Sequence, residues 1–207
     1  MDQELKTLIS QIRSIANDNG IDAISLEMLQ KNRDVSNDLL DKHFQSNEIL
    51  AEKILEDERK HFEEIFVVHD FDGYNDAIDI LFTVIVEMAR KFYHLSPSVT
   101  YKYQQLYPEV FQKHIEERIN FIYGKIQINL QKGISLGFYR DDVSIELVAR
   151  LYIRRLIDLH DTDNFPPEKF SMETMFLQMF ERFVRSIATE KGIKYFEKKK
   201  KSTKLDH

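Results

Sequence analysis

The chain has 207 residues, 43% of them hydrophobic and 31% charged, and 29 Lys and Arg against 35 Asp and Glu leave a net charge of −6. That length makes one large domain or two small ones, and the acidic balance excludes a whole-surface nucleic-acid coat or a polybasic membrane binder. The absence of Cys excludes disulfides, thiol catalysis and thiolate zinc sites, while only six Gly and four Pro leave few helix breakers.

Helical periodicity runs from end to end. Leu5, Leu8, Ile9, Ile12, Ile15 and Ala16 recur at i, i+3, i+4 and i+7 and share one face of a first helix, which Gly20 stops. Ser25 caps a short helix containing Leu26, Met28 and Leu29, with Glu27 in its first turn. Ser36 begins another over 37–44, and Ser46 with Asn47 starts a longer one reaching about Val68. A strongly apolar helix follows from Asn75 to His94. Its longest apolar stretch, 77–89, is cut by Asp79, Thr83 and Glu87, so it is a core helix and not a span. Ser96 to Pro108 holds a short segment. Ile115, Ile119, Ile122, Ile126, Leu130 and Ile134 then mark a core stripe over Glu109–Leu136. A loop from Gly137 to Asp142 leads to a helix over 143–160, and a polar connection to a last one over 169–188, whose apolar side is unusually broad. No segment alternates with period two. The expected class is all-α, with about nine helices: a small three-helix head and a larger helical bundle. The start, Met1-Asp2-Gln3-Glu4, lacks the basic and apolar regions of a signal peptide, which favours a soluble, cytoplasmic protein with no membrane partner.

Two short helices joined by a tight turn form a helix-turn-helix, whose second helix enters the major groove of DNA. Val35-Ser36, Leu40, His43-Phe44, Ser46, Glu48 and Leu50, preceded by Gly20 and a first helix, resemble the DNA-binding module of TetR-family, AcrR-like transcriptional regulators. Gly133, Gly137-Phe138-Tyr139-Arg140 and a following acidic pair resemble the junction before that family's last two helices. Thr189-Glu190-Lys191-Gly192 resembles the close of its final helix. The resemblance implies a head over 1–46 that binds operator DNA as double strand, and a body over 47–193 that binds a small molecule. It also implies a homodimer formed through the last two long helices. The broad apolar side of 169–188 fits such pairing, and equally fits intramolecular core.

Residues 194–207 form a Lys-rich tail, expected to be flexible; Lys194 to Lys204 carries six Lys against one Glu. It is either a solvated end or an electrostatic arm for nucleic acid or an acidic partner.

Candidate DNA contacts are Ser25, Arg33, Ser36, Asn37, Lys42, His43, Ser46 and Asn47, as helix N-termini or as side chains able to reach phosphate and base edges. Three positions depart from the family pattern. Asp34 stands where Gly is usual and is expected to keep the turn by accepting a left-handed backbone. Asp41 replaces a phosphate-reaching Tyr, and Asn47 replaces Lys. With Asp38 added, residues 1–60 hold eight bases against 13 acids. Affinity for DNA rests on neutralising phosphates, so the alternative is a dimeric ligand- or partner-binding protein whose head no longer reads DNA.

Candidate ligand-site residues are Phe82, Ile85, Met88, Phe92, Tyr103, Phe121, Tyr123 and Tyr152, with His94 or His114 as polar handles, for an apolar or amphipathic ligand. Ordinary core packing accounts for the same residues. Glu58 and His61 make a single Glu-x-x-His pair, where a di-iron bundle needs two pairs and two further Glu. Asp70-x-Asp72-Gly73 and Asp161-x-Asp163 lack the Gly and Glu that a calcium loop requires, so they are expected to be capping loops. No catalytic motif, metal site or cofactor is expected.

Overall fold

A computed structural model describes residues 3–20, 24–73, 76–92, 103–159, 164–166 and 168–203. The helices are α1 Gln3–Asn19, α2 Leu26–Gln30, α3 Asn37–His43, α4 Asn47–Val68, α5 Ala77–Phe92, α6 Pro108–Ser135, α7 Ile145–Asp158, α8 Met172–Ile187 and α9 Glu190–Thr203. Among the described residues no strand forms, and one isolated bridge joins Tyr139 to Ala188. The fold is all-α. The chain divides into two compact units, Met1–Phe62 with Leu95–Arg118 and Glu63–His94 with Ile119–His207, so both α4 and α6 run through a boundary.

The first unit is built on the stripe expected of α1. Leu8, Ile9 and Ile12 are fully buried, together with Leu29, Leu40, Leu50 and Leu55 from α2, α3 and α4. Removing an aliphatic side chain of that size from water contributes about 2 kcal/mol. Gly20 ends α1 at φ +80, the left-handed conformation that a side chain would resist. Arg13 reaches from α1 to Asp57 on α4 at 3.1 Å, and Asp57 is only 4% exposed, so its charge is paired where water is scarce.

The second unit packs α5, α7, α8 and α9 with the later part of α6. The Phe82 ring lies against Phe180 at 5.3 Å and Phe196 at 5.2 Å. One polar relay crosses this core. Asn129 Nδ2 donates to the Ala77 carbonyl at 2.8 Å, and the Tyr139 hydroxyl donates to Asn129 Oδ1 at 3.1 Å. Both buried residues are thereby satisfied, as burial of polar groups demands.

Two sequence expectations change here. Thr189-Glu190-Lys191-Gly192 does not close a helix; it opens α9, with Gly192 N–H donating to Thr189 Oγ1 at 3.1 Å as an N-cap bond. The Lys-rich segment is accordingly helical as far as Thr203, not a flexible tail from 194. Phe196 is 1% exposed, Lys199 pairs with Asp79 at 2.9 Å and Lys200 with Glu181 at 3.1 Å. The run of charge in the sequence masks the helical spacing of Ile193, Phe196 and Lys200 on an inward side. The broad apolar side of α8 is also an intramolecular feature in large part, since Met179, Phe180, Phe183, Val184 and Ile187 are buried within this chain. Exposed apolar groups include Leu147 and Leu151 on α7, 57% and 54% exposed, and Val67 and Val68 at the end of α4.

Candidate functional site

The helix-turn-helix is assembled by short polar bonds. Ser25 sits in extended backbone and its Oγ accepts from Met28 N–H at 3.2 Å, which starts α2. The turn after α2 is an Asx turn: Asn32 Oδ1 accepts from Asp34 N–H at 2.9 Å, and the Asn32 carbonyl from Val35 N–H at 3.3 Å. Asp34 does not use the left-handed backbone expected of it. Among the described residues only Asp70, at φ 49, does so without being Gly. Asn32 makes the turn without the special backbone for which Gly is suited. Val35 and Leu40 then anchor α3 in the core, and Asn37, Asp38, Asp41 and Lys42 face solvent.

The eight DNA candidates separate into three groups. Ser25, Ser46 and Asn47 are engaged in structure: Ser46 Oγ accepts from Ile49 N–H at 3.2 Å, and Asn47 Oδ1 accepts from Leu26 N–H at 2.7 Å. The first residue of α4 therefore holds the first turn of α2, which explains how Asn serves where a phosphate-binding Lys is usual in the resembled family. Lys42 pairs with Glu4, and His43 is half-buried with Nε2 3.6 Å from the same carboxylate. Arg33, Ser36 and Asn37 are exposed, and Ser36 makes no side-chain cap bond although it begins α3.

Several residues here escaped the sequence reading. Gln30 Nε2 donates to Asp41 Oδ1 at 3.3 Å, bracing α2 against α3 through an acid that departs from the family pattern. Lys31 is held by Glu27 at 2.7 Å, and the hydrogen bond from Lys31 keeps the Glu27 carboxyl below its ordinary range. Glu27 and Lys31 stand four residues apart on one helix, a visible signal; Glu4 and Lys42 stand 38 apart and leave none. Of the three cations from Lys31 to Lys42, two are thus neutralised by the chain itself.

The ligand candidates do not form one set. Phe82 and Ile85 belong to the core of the second unit, and half-buried Tyr152 packs against Phe183 with ring centroids 4.4 Å apart and tilted, with burial pushing its hydroxyl up. Half-buried Phe121 meets Phe66 edge-on at 5.1 Å, Tyr123 packs on that unit's core, and Met88 is half-buried on α5. Tyr103 and His114 lie in the first unit instead. Burial and then nearby Glu58 raise the Tyr103 hydroxyl, which is 3% exposed and has no hydrogen-bond partner among the described residues. The Phe92 side chain and His94 lie outside what the structure describes.

Metal-like motifs are committed elsewhere. His61 Nδ1 is 2.8 Å from the Asp57 carbonyl, and Glu58 is 3.5 Å from Arg118. Asp72 pairs with Lys125, while Lys132 donates to the carbonyls of Phe71 at 3.1 Å and Gly73 at 2.6 Å, so this loop is a turn tied to α6. Asp161-x-Asp163 lies outside the described residues. Among those described, no group of three His, Asp or Glu is placed to hold a metal, and no helix is long and apolar enough to cross a membrane.

The junction that resembled the family closes on itself. A Cβ on Gly133 would lie 2.0 Å from the Tyr139 ring, and one on Gly192 would lie 2.1 Å from the Phe138 carbonyl oxygen. Thr189 N–H and Arg140 N–H donate to the carbonyls of Phe138 and Ile187 at 2.9 and 2.8 Å, and Lys191 Nζ donates to that of Leu136 at 2.8 Å. Two motifs separated by some fifty residues are one packed joint.

No protein-family model matches the chain, and no curated protein matches its sequence. Solved structures do match its fold. SmeT, the repressor of a multidrug efflux pump in Stenotrophomonas maltophilia, is 13% identical with a TM-score of 0.67, over 89% of this chain and 91% of that one. A TetR/AcrR-family transcriptional regulator of Thermobifida fusca is 16% identical with a TM-score of 0.66, over 88% and 97%. The fatty acid degradation regulator FadR of Bacillus halodurans is 11% identical with a TM-score of 0.67, over 89% and 96%. The chain has the fold of the TetR/AcrR regulators.

Proposed function

We propose that this chain is a ligand-responsive transcriptional regulator that binds operator DNA as a homodimer. The observation that carries the reading is the helix-turn-helix of α2 and α3, with the Ser25 cap, Asx turn and buried anchors, inside a chain with that fold. Arg33, Ser36 and Asn37 are the groups free to meet DNA, and α3 is the helix that enters the major groove. Leu147 and Leu151, one turn apart and exposed on α7, support pairing of α7 and α8 with a second copy, because a two-fold axis makes such a patch self-complementary. A small apolar or amphipathic ligand in the second unit, among residues such as Phe121, Tyr152 and Met88, would favour one arrangement of the two heads over another. The protein works in the cytoplasm, where its operator is.

A second reading rests on a specific observation. Lys31 and Lys42 are neutralised by Glu27 and Glu4, while Asp38 and Asp41 stand exposed on α3. A head so charged repels phosphate, and the protein would then be a dimeric ligand- or partner-binding relative without an operator. Retention of genomic duplex fragments at about 50 mM salt, where a few phosphate contacts bind strongly, separates the two. The regulator retains a fragment, with its own promoter region the first to try; a chain that retains none is not a regulator of this kind.

A further inference from the structure

Two acids, Asp38 and Asp41, lie on the side that α3 turns to solvent. At about 100° per residue, Asn37 and Lys42 bound that exposed arc and the two acids fall between them. Buried Leu40, with half-buried Leu39 and His43, marks the inward side. When such a helix lies in the major groove, the middle of its outward arc meets base edges and the margins meet phosphates.

What holds the two acids differs. Asp41 Oδ1 accepts from Gln30 Nε2 at 3.3 Å, so that carboxylate braces α2 against α3. Elsewhere in the first unit Glu4 meets Lys42, Glu27 meets Lys31 and Asp57 meets Arg13. Asp38 has neither a cation nor a hydrogen bond among the described residues. It stands in the first turn of α3, the part of a recognition helix that reaches base edges. The helix macrodipole steadies a negative charge there, so the fold carries this one unpaired.

A carboxylate only accepts hydrogen bonds, which limits what it can meet in the groove. Guanine presents the N7 and O6 acceptors there, and thymine an O4 acceptor beside its methyl group; both repel the charge. Adenine sets its N6 amine next to the N7 acceptor, so it attracts and repels at once. Cytosine presents its N4 amine alone and is the matching base.

Resting on the operator-binding reading above, we infer that Asp38 is a specificity-determining residue, its carboxylate accepting a hydrogen bond from the N4 amine of a cytosine in each operator half-site. The same charge repels phosphate whatever the sequence, so Asp38 lowers non-specific affinity while it selects one base. Arg33, exposed in the turn before α3, acts in the opposite sense: it attracts phosphate and selects nothing. The acid that counts against phosphate binding therefore counts toward discrimination.

The test is selection by the full chain from a duplex library with a randomised centre, at about 50 mM salt, followed by affinity measurements on the enriched duplex. The enriched half-site is expected to hold one position where replacing the C·G pair by T·A weakens binding about tenfold. Asp38→Ala is expected to bring that ratio to within about twofold and to bind random duplex more tightly than the intact chain does. Asp38→Glu, which keeps the carboxylate, is expected to retain the cytosine preference, and Arg33→Ala to weaken all sequences alike. Circular dichroism of each variant checks that the helices persist. Enriched half-sites without a preferred cytosine, or a cytosine preference that survives Asp38→Ala, overturn the inference and leave the regulator reading in place. Retention of no duplex by the intact chain overturns both.

Discussion

In the 133–192 joint of the second unit, Gly133, Phe138, Tyr139, Thr189 and Gly192 all engage one another, and none is left to meet a partner. In the helix-turn-helix of the first unit, Ser25, Ser46 and Asn47 are likewise engaged by the fold, but Arg33, Ser36 and Asn37 face solvent. Both regions resemble the same family by their residues. The resemblance reports architecture wherever the side chain is already bonded inside, and function only at the few positions where it is not. A motif match in the joint therefore predicts stability, and a motif match in the head predicts stability and DNA affinity at separate residues.

The largest expected effect lies in the joint. Gly133→Ala forces a Cβ against the Tyr139 ring and should cost about 3 kcal/mol, seen as a melting point roughly 6–12 °C lower. An unchanged melting point would show that the joint yields easily and does not hold the second unit together. Acid comes next, and it discriminates the units. His114 has an ordinary value of 6.5 when unfolded and about 4 when folded. Its contribution is intact above 6.5 and is lost as pH falls through 6.5 toward 4, by about 3 kcal/mol in total. Unfolding followed across this pH range should show this slope for the first unit, and His114→Phe should flatten it. The Asn129–Tyr139 relay has no group titrating in that range, so amides around it should keep their protection.

Smaller effects sharpen the division inside the head. Asn47→Ala removes the acceptor for Leu26 N–H and should destabilise the head by about 1 kcal/mol in denaturant unfolding. Arg33→Ala should alter stability by less than about 0.5 kcal/mol, yet reduce the salt slope of DNA binding by about two for the dimer, one per protomer. If the two substitutions exchanged these effects, the assignment of Asn47 to structure and Arg33 to DNA would be reversed.

Much of this was legible in the sequence because it depends on local spacing. The buried stripe of α1, the Ser25 cap, the Gly20 stop and the all-α class follow from periods and caps within one helix. Long-range pairing left no such trace. Nothing local links Lys42 to Glu4 or Asn47 to Leu26, and each pairing decides whether a candidate residue is free to act. Charge also hid structure: 198–201 is four Lys in succession, but Lys199 and Lys200 turn inward to Asp79 and Glu181 beside buried Phe196. The ligand candidates were legible as apolar and helical. Their division between two units was not, because the sequence order of Tyr103, His114 and Phe121 conceals a boundary inside α6.

The central claim, that the outward residues of α3 and its turn read DNA while their bonded neighbours only build the head, is met most directly by one selection. A library of genomic duplex fragments is presented at about 50 mM salt to the intact chain and to the Arg33→Ala, Asn37→Ala double variant, with melting points recorded for both. The account predicts that the intact chain enriches a fragment carrying two related half-sites, and that the double variant loses this enrichment at an unchanged melting point. Equal enrichment by both proteins, or none by either, would contradict it.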